Sequence, residues 1–105
     1  MERFVKGDVV VMPFPFSDLS ANKRRPALVV ANGDLILCLI TSKSKKEAIE
    51  LKQQDFQEGS LKITSYIMPR KIFAADIGLV LYSVGRIKKE KLTEVEDFIC
   101  KTMKE

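Results

Sequence analysis

No histidine occurs in the 105 residues. That removes a histidine general base, a Ser-His-Asp triad and histidine-held metals. The two cysteines, Cys38 and Cys100, have no CxxC spacing and sit beside Leu37, Leu39 and Ile99. They read as buried, reduced thiols, since a zinc site needs about four ligands. Cations and hydroxyls remain for chemistry. Lys23-Arg24-Arg25 stands directly before Pro26, Thr41-Ser42 ends an apolar run, Lys43, Lys45 and Lys46 follow it, and Arg70 follows Pro69. Arginine's planar fork suits phosphate oxygens and keeps its proton to a pH above ~12. Lys and Arg total 18 against 14 Asp and Glu, a net charge of +4. The excess is concentrated in residues 42–75, with seven bases against four acids. A basic surface fits a polyanionic partner, although a lysine-rich loop is also what solvent favours. Phe14 and Phe16, close to the Lys-Arg-Arg run, either stack on unpaired bases or anchor a loop to the core.

The elements that must carry these residues are short. Gly7 to Pro13 is a β-branched run opened by a turn residue, hence a strand. Residues 14–24 have no period and form a loop, which places Arg25 at its end. Pro26 to Ala31 is a second strand, and Asn32-Gly33 signals a tight hairpin into a third, Leu35 to Thr41. Ala48 to Leu51 is a short strand, and residues 52–59 form a polar turn or short helix ending at Gly59. Thr64 to Pro69 and Lys71 to Ala75 read as two strands with a bend at Pro69-Arg70. Asp76 to Leu79 is a turn and Leu81 to Ile87 a last strand. From Lys88 the apolar spacing becomes helical through Leu92, Val95, Phe98, Ile99 and Met103. Six or seven strands followed by one helix predict a single, mainly β domain over residues 1–105, a small, strongly bent antiparallel sheet or barrel. The longest apolar run, Leu35 to Ile40, is far short of the ~18 residues of a membrane span. The first residues, Met-Glu-Arg-Phe-Val-Lys-Gly-Asp, lack the apolar stretch of a signal peptide, so a cytoplasmic location is expected.

The stretch Gly7-Asp8-Val9-Val10-Val11-Met12-Pro13-Phe14-Pro15-Phe16-Ser17-Asp18-Leu19, followed by Lys23-Arg24-Arg25-Pro26-Ala27-Leu28-Val29-Val30, resembles the MazF/PemK family of type II toxin–antitoxin toxins. Leu39-Ile40-Thr41-Ser42, Ser65-Tyr66-Ile67-Met68-Pro69-Arg70-Lys71-Ile72 and Gly85-Arg86-Ile87 match in order, so the resemblance covers nearly the whole chain. It implies an SH3-like barrel with a C-terminal α-helix, and a homodimer built on the barrel edge and terminal helix, where Ile87, Phe98 and Met103 supply apolar material. It further implies sequence-specific cleavage of single-stranded RNA with no metal or other cofactor. The partners implied are an acidic cognate antitoxin and, through the antitoxin complex only, DNA.

Metal-free RNA cleavage uses the adjacent 2′-hydroxyl as nucleophile. It needs a group to take that proton, charge stabilisation on the phosphoryl oxygens, and a proton for the leaving 5′-oxygen. The resemblance places Arg25 and Thr41 as the catalytic residues, Arg25 for charge stabilisation and Thr41 for contact with the phosphate or the 2′-hydroxyl. It places Phe16, Asn22, Lys23, Arg24, Ser42, Ser65 and Arg70 along the substrate, with Arg70 either on a phosphate or paired with Asp76. Some relatives carry an arginine and an aspartate on the strand before the Pro-Arg bend and a histidine near the first loop. Here that strand reads Ser65-Tyr66-Ile67-Met68 and there is no histidine. No residue is thereby assigned as the general base. The competing reading is a non-catalytic SH3-like module that binds RNA or antitoxin.

Overall fold

In the computed structural model, residues 4–13, 24–32 and 35–105 are described. Phe14, Phe16, Asn22, Lys23 and Gly33, the last expected in a hairpin turn, lie outside them. The strands are β1 (Asp8–Pro13), β2 (Arg24–Ala31), β3 (Leu35–Thr41), β4 (Ile49–Leu51), β5 (Phe56–Gly59), β6 (Ser65–Ala75) and β7 (Tyr82–Ile87), and the helix α1 spans Lys89–Lys104. They form one antiparallel sheet in the order β4-β6-β3-β2-β1-β7-β5. The sheet curls into a half-barrel with α1 at the chain's C-terminal end, the mainly β architecture that the strand pattern predicts.

Alternation along the strands separates two faces. Val9, Leu28, Cys38, Ile40, Ile49, Leu51, Phe56, Ile67 and Ile87 share one face and pack with Leu92 and Val95 of α1. Val10, Met12, Ala27, Val29, Leu35 and Leu37 form a second buried cluster on the other. We call these the inner and outer faces. Val9, Val10, Leu28, Val29 and Leu37 have no exposed surface, so the central strands are covered on both sides.

Several expectations shift. β2 begins at Arg24, two residues before Pro26, because Pro13 and Met12 of β1 pair with Arg24 and Arg25. Arg25 is therefore a strand residue, not a loop end. β6 is one strand through Pro69-Arg70, with the register slipping from Leu39↔Met68 to Cys38↔Ile72. That irregularity accommodates the proline, whose missing N–H would break a regular ladder. β5, expected as a turn or short helix, pairs with β7 after a single 3₁₀ turn at Gln53–Asp55. Only Phe56 of β5 is buried, so the strand leaves no apolar alternation to read. What allows it is close backbone approach: Gly59 stands opposite Gly85, and a side chain on Gly59 would run into the Val84 carbonyl.

Cys38 is buried but Cys100 is exposed, because it falls off the Leu92–Val95 stripe of α1. Ile87 is core, at 2% exposure, and Phe98 packs against the core, so neither is spare surface. Met103 is exposed, and a larger apolar group is exposed around β7: Ile77, Leu79, Leu81 and Tyr82, each between 46% and 49%. No helix among the described residues is long and apolar enough to cross a membrane.

Candidate active site

β2 and β3 run antiparallel with Ala27 opposite Leu39, Leu28 opposite Cys38 and Val29 opposite Leu37. Carried two residues further, that register sets Arg25 opposite Thr41. Arg25 continues the Val29–Ala27 line and Thr41 continues the Leu37–Leu39 line, so both belong to the outer face. Directly opposed residues bring their Cβ atoms within about 4.5–5.5 Å. On one side Arg25 is paired with Met12 of β1; on the other Thr41 is paired with Tyr66 of β6, and Tyr66 with Glu50 of β4. One row thus crosses five strands: Met12, Arg25, Thr41, Tyr66, Glu50. Met12 is buried at one end and Glu50 exposed at the other.

The hydrogen bonds in this row suit an anion. The Arg25 Nε is buried and has no hydrogen-bond partner among the described residues. A buried unpaired donor is costly to leave unmade, and on a guanidinium it is strongest toward an anionic oxygen. The Thr41 Oγ1 accepts the Lys43 N–H at 3.2 Å, which orients the hydroxyl as the chain leaves β3. With that lone pair engaged, the hydroxyl proton is still available to donate. Ser42 and Lys43 follow Thr41 on the exposed turn.

Other expected site residues are placed elsewhere. Arg24 neighbours Arg25 in β2, so alternation sends the two arginines to opposite faces. Ser65 is 4% exposed and its hydroxyl donates to the Ile63 carbonyl at 3.1 Å. Arg70 pairs with neither Asp76 nor a free anion site: its Nε lies 2.8 Å from Glu47 and its Nη2 3.2 Å from Glu105. It lines a shallow recess of about 160 Å³ with Lys46, Glu47, Ala48, Met68, Pro69 and Lys71. Phe16, Asn22 and Lys23 lie outside the described residues. A larger recess of about 340 Å³ near the start of α1 is lined by Lys88, Glu90 and Lys91, and Lys91 is paired there with Glu94 at 3.1 Å and with Asp55 at 3.7 Å. In Gly85-Arg86-Ile87, Arg86 is structural. Its Nε donates to the buried Asp8 carboxylate at 2.8 Å across β7 and β1, and this bond raises the guanidinium above its ordinary pKa. Burial pushes the Cys38 thiol up to about 12, so it stays protonated and is no nucleophile.

The model of the PemK-like, MazF-like toxins of type II toxin–antitoxin systems matches residues 5–103. The chain belongs to this family. Its fold is similar to the crystal structure of MazF (form I) from Deinococcus radiodurans, with a TM-score of 0.74 and 18% identity over 100% of both chains. At that identity the likeness carries the fold alone. No curated protein matches this MazF-like toxin in sequence. Tyr66 and Glu50, as flanking members of the toxin's Arg25–Thr41 row, were missed as functional candidates from sequence. Period-two alternation could have assigned each a face, but the register between β3, β6 and β4 depends on where β6 slips.

Proposed function

We propose that this MazF-like toxin cleaves single-stranded RNA by attack of the 2′-hydroxyl on the adjacent phosphate, without a metal. The observation that carries the reading is the Arg25 Nε, buried and unpartnered among the described residues, on the row it shares with Thr41. In this mechanism the Arg25 guanidinium binds the non-bridging phosphoryl oxygens and holds the extra negative charge of the pentacoordinate transition state. The Thr41 hydroxyl, its oxygen engaged by the Lys43 N–H, donates to a phosphoryl oxygen or fixes the 2′-oxygen beside it. The 2′-hydroxyl proton passes to solvent, the bond to the 5′-oxygen breaks and that oxygen takes a proton from solvent, leaving a 2′,3′-cyclic phosphate on one fragment and a 5′-hydroxyl on the other.

The toxin acts as a homodimer, with Ile77, Leu79, Leu81 and Tyr82 as the apolar contact. It is held inactive in the cytoplasm by an acidic antitoxin whose carboxylates compete for the same cations. Incubation of a long RNA in EDTA is the test. Discrete fragments with 5′-hydroxyl ends support the reading, and unfractionated RNA that is bound but uncut overturns it. The second outcome would favour a non-catalytic RNA-binding module. That alternative has its own observation: in the Arg25–Thr41 row the carboxylate, Glu50, stands two strands from Thr41.

A further inference from the structure

We infer that Tyr66 is the platform on which a base flanking the cleaved phosphate stacks. The inference rests on the RNA reading above and adds a nucleobase-binding residue to it. Ser65 and Ile67 are buried, at 4% and 0% exposure, and Ile67 belongs to the inner core. Alternation therefore turns Tyr66 to the outer face, where it is half-buried. Its β3 neighbour in the ladder is Thr41, and its β4 neighbour is Glu50. A phenol ring thus stands one strand from the Thr41 hydroxyl and two from Arg25, at a spacing of about 4.8 Å per strand. Adjacent phosphates of an extended single strand are about one nucleotide apart, and each carries a base. With a phosphate over Arg25 and Thr41, the next base along the row meets the Tyr66 ring.

Stacking on an aromatic face tolerates any base, because every base has a π-face. Tyr66 accordingly contributes affinity for unpaired strands and little sequence choice. An extended duplex, whose bases are already stacked, gains nothing from it.

The test uses the chain's own fluorophores. It has two tyrosines, Tyr66 and Tyr82, and no tryptophan. In a Tyr82→Phe background, titration with a 2′-O-methylated single-stranded oligonucleotide of mixed sequence, which cannot be cut, should quench Tyr66 emission. An abasic oligomer of the same length should bind without quenching. Tyr66→Phe should bind the base-bearing oligomer as the parent does. Tyr66→Ile, which keeps a strand-forming side chain but no ring, should bind it tenfold or more weaker while binding the abasic oligomer equally. Melting temperatures of both variants report that they are folded. If Arg25→Ala weakens binding but Tyr66→Ile does not, the platform is overturned and the RNA reading stands. Failure of the parent to bind either oligomer overturns both.

Discussion

The guanidinium of Arg25 carries more of the proposed chemistry than any other group. Arg25→Ala should lower the cleavage rate by ~10²–10³, the usual cost of one preorganised donor to a developing oxyanion. Its melting temperature should barely move, since its backbone pairing with Met12 survives and the Nε it removes has no partner among the described residues. A folded Arg25→Ala that cuts at the parent's rate would take Arg25 out of the mechanism. Thr41→Ala removes one neutral hydroxyl and should cost less, with Thr41→Ser restoring most of the rate. The two thiols differ as sharply. Cys100, exposed, should react with a thiol reagent in the native protein, whereas Cys38 should react only on unfolding. Cys38 also makes alkaline stability fall. Its folded pKa of about 12 lies above the ordinary 9.0, so between these values the unfolded chain has lost the proton that the folded chain keeps. The contribution is complete below pH 9 and is lost as pH rises toward 12. Urea midpoints at pH 8 and pH 10.5 should drop further for the parent than for Cys38→Ala.

At the scale of elements, the β5–β7 pairing depends on two glycines. A Cβ on Gly85 would meet the Glu58 carbonyl and sit 2.9 Å from the Gly59 Cα, both backbone atoms that cannot rotate away. Gly59 also has a φ of +76°, a region that L side chains rarely adopt. Gly85→Ala should therefore cost about 1–3 kcal/mol, the range of overpacking, seen as a lower urea midpoint with β5 amides the first to exchange. The start of α1 has the opposite character. Lys88 is the N-cap and makes no side-chain cap hydrogen bond. Lys88→Ser should raise stability by about 0.5–1 kcal/mol. α1 is held against β4 and the 3₁₀ turn by Lys91, whose ammonium donates to the Glu50 carbonyl at 3.1 Å and lies 3.7 Å from the Asp55 carboxylate.

For the molecule as a whole, binding of a single strand should weaken steeply with salt, by a slope of ~0.7 per phosphate neutralised. Arg25→Ala and Lys43→Ala should each lower that slope by about this amount. Arg70→Ala should lower it by less, because Arg70 already has Glu47 and Glu105, and a phosphate there only exchanges one set of anions for another. An affinity independent of salt would reduce the basic residues to solvated surface. The exposed group Ile77, Leu79, Leu81 and Tyr82 should set the oligomeric state. Light scattering should return a dimer mass for the parent at micromolar concentration and a monomer for Leu79→Glu. A monomeric parent would remove the proposed interface.

Local patterns carried most of the architecture. β-branched runs, the apolar Leu35–Ile40 segment and the helical spacing after Lys88 each express a preference set within a few residues, and β1, β3, β7 and α1 appear close to where those runs lie. The basic run before Pro26 and Thr41 at the end of β3 are likewise visible in one dimension. Their union is not. Arg25 and Thr41 are 16 positions apart, and only the β2–β3 register brings them opposite each other. The same pairing extends β2 backwards over Arg24 and Arg25 and sends the two arginines to opposite faces, which adjacent letters in a basic cluster do not reveal. Long-range contacts also decide Arg70, whose carboxylates come from Glu47 and Glu105, and Tyr66, whose neighbours depend on a slip within β6. Periodicity is a property of each strand by itself. Register is settled by how all seven strands bury their apolar faces together, and the site exists only in the register.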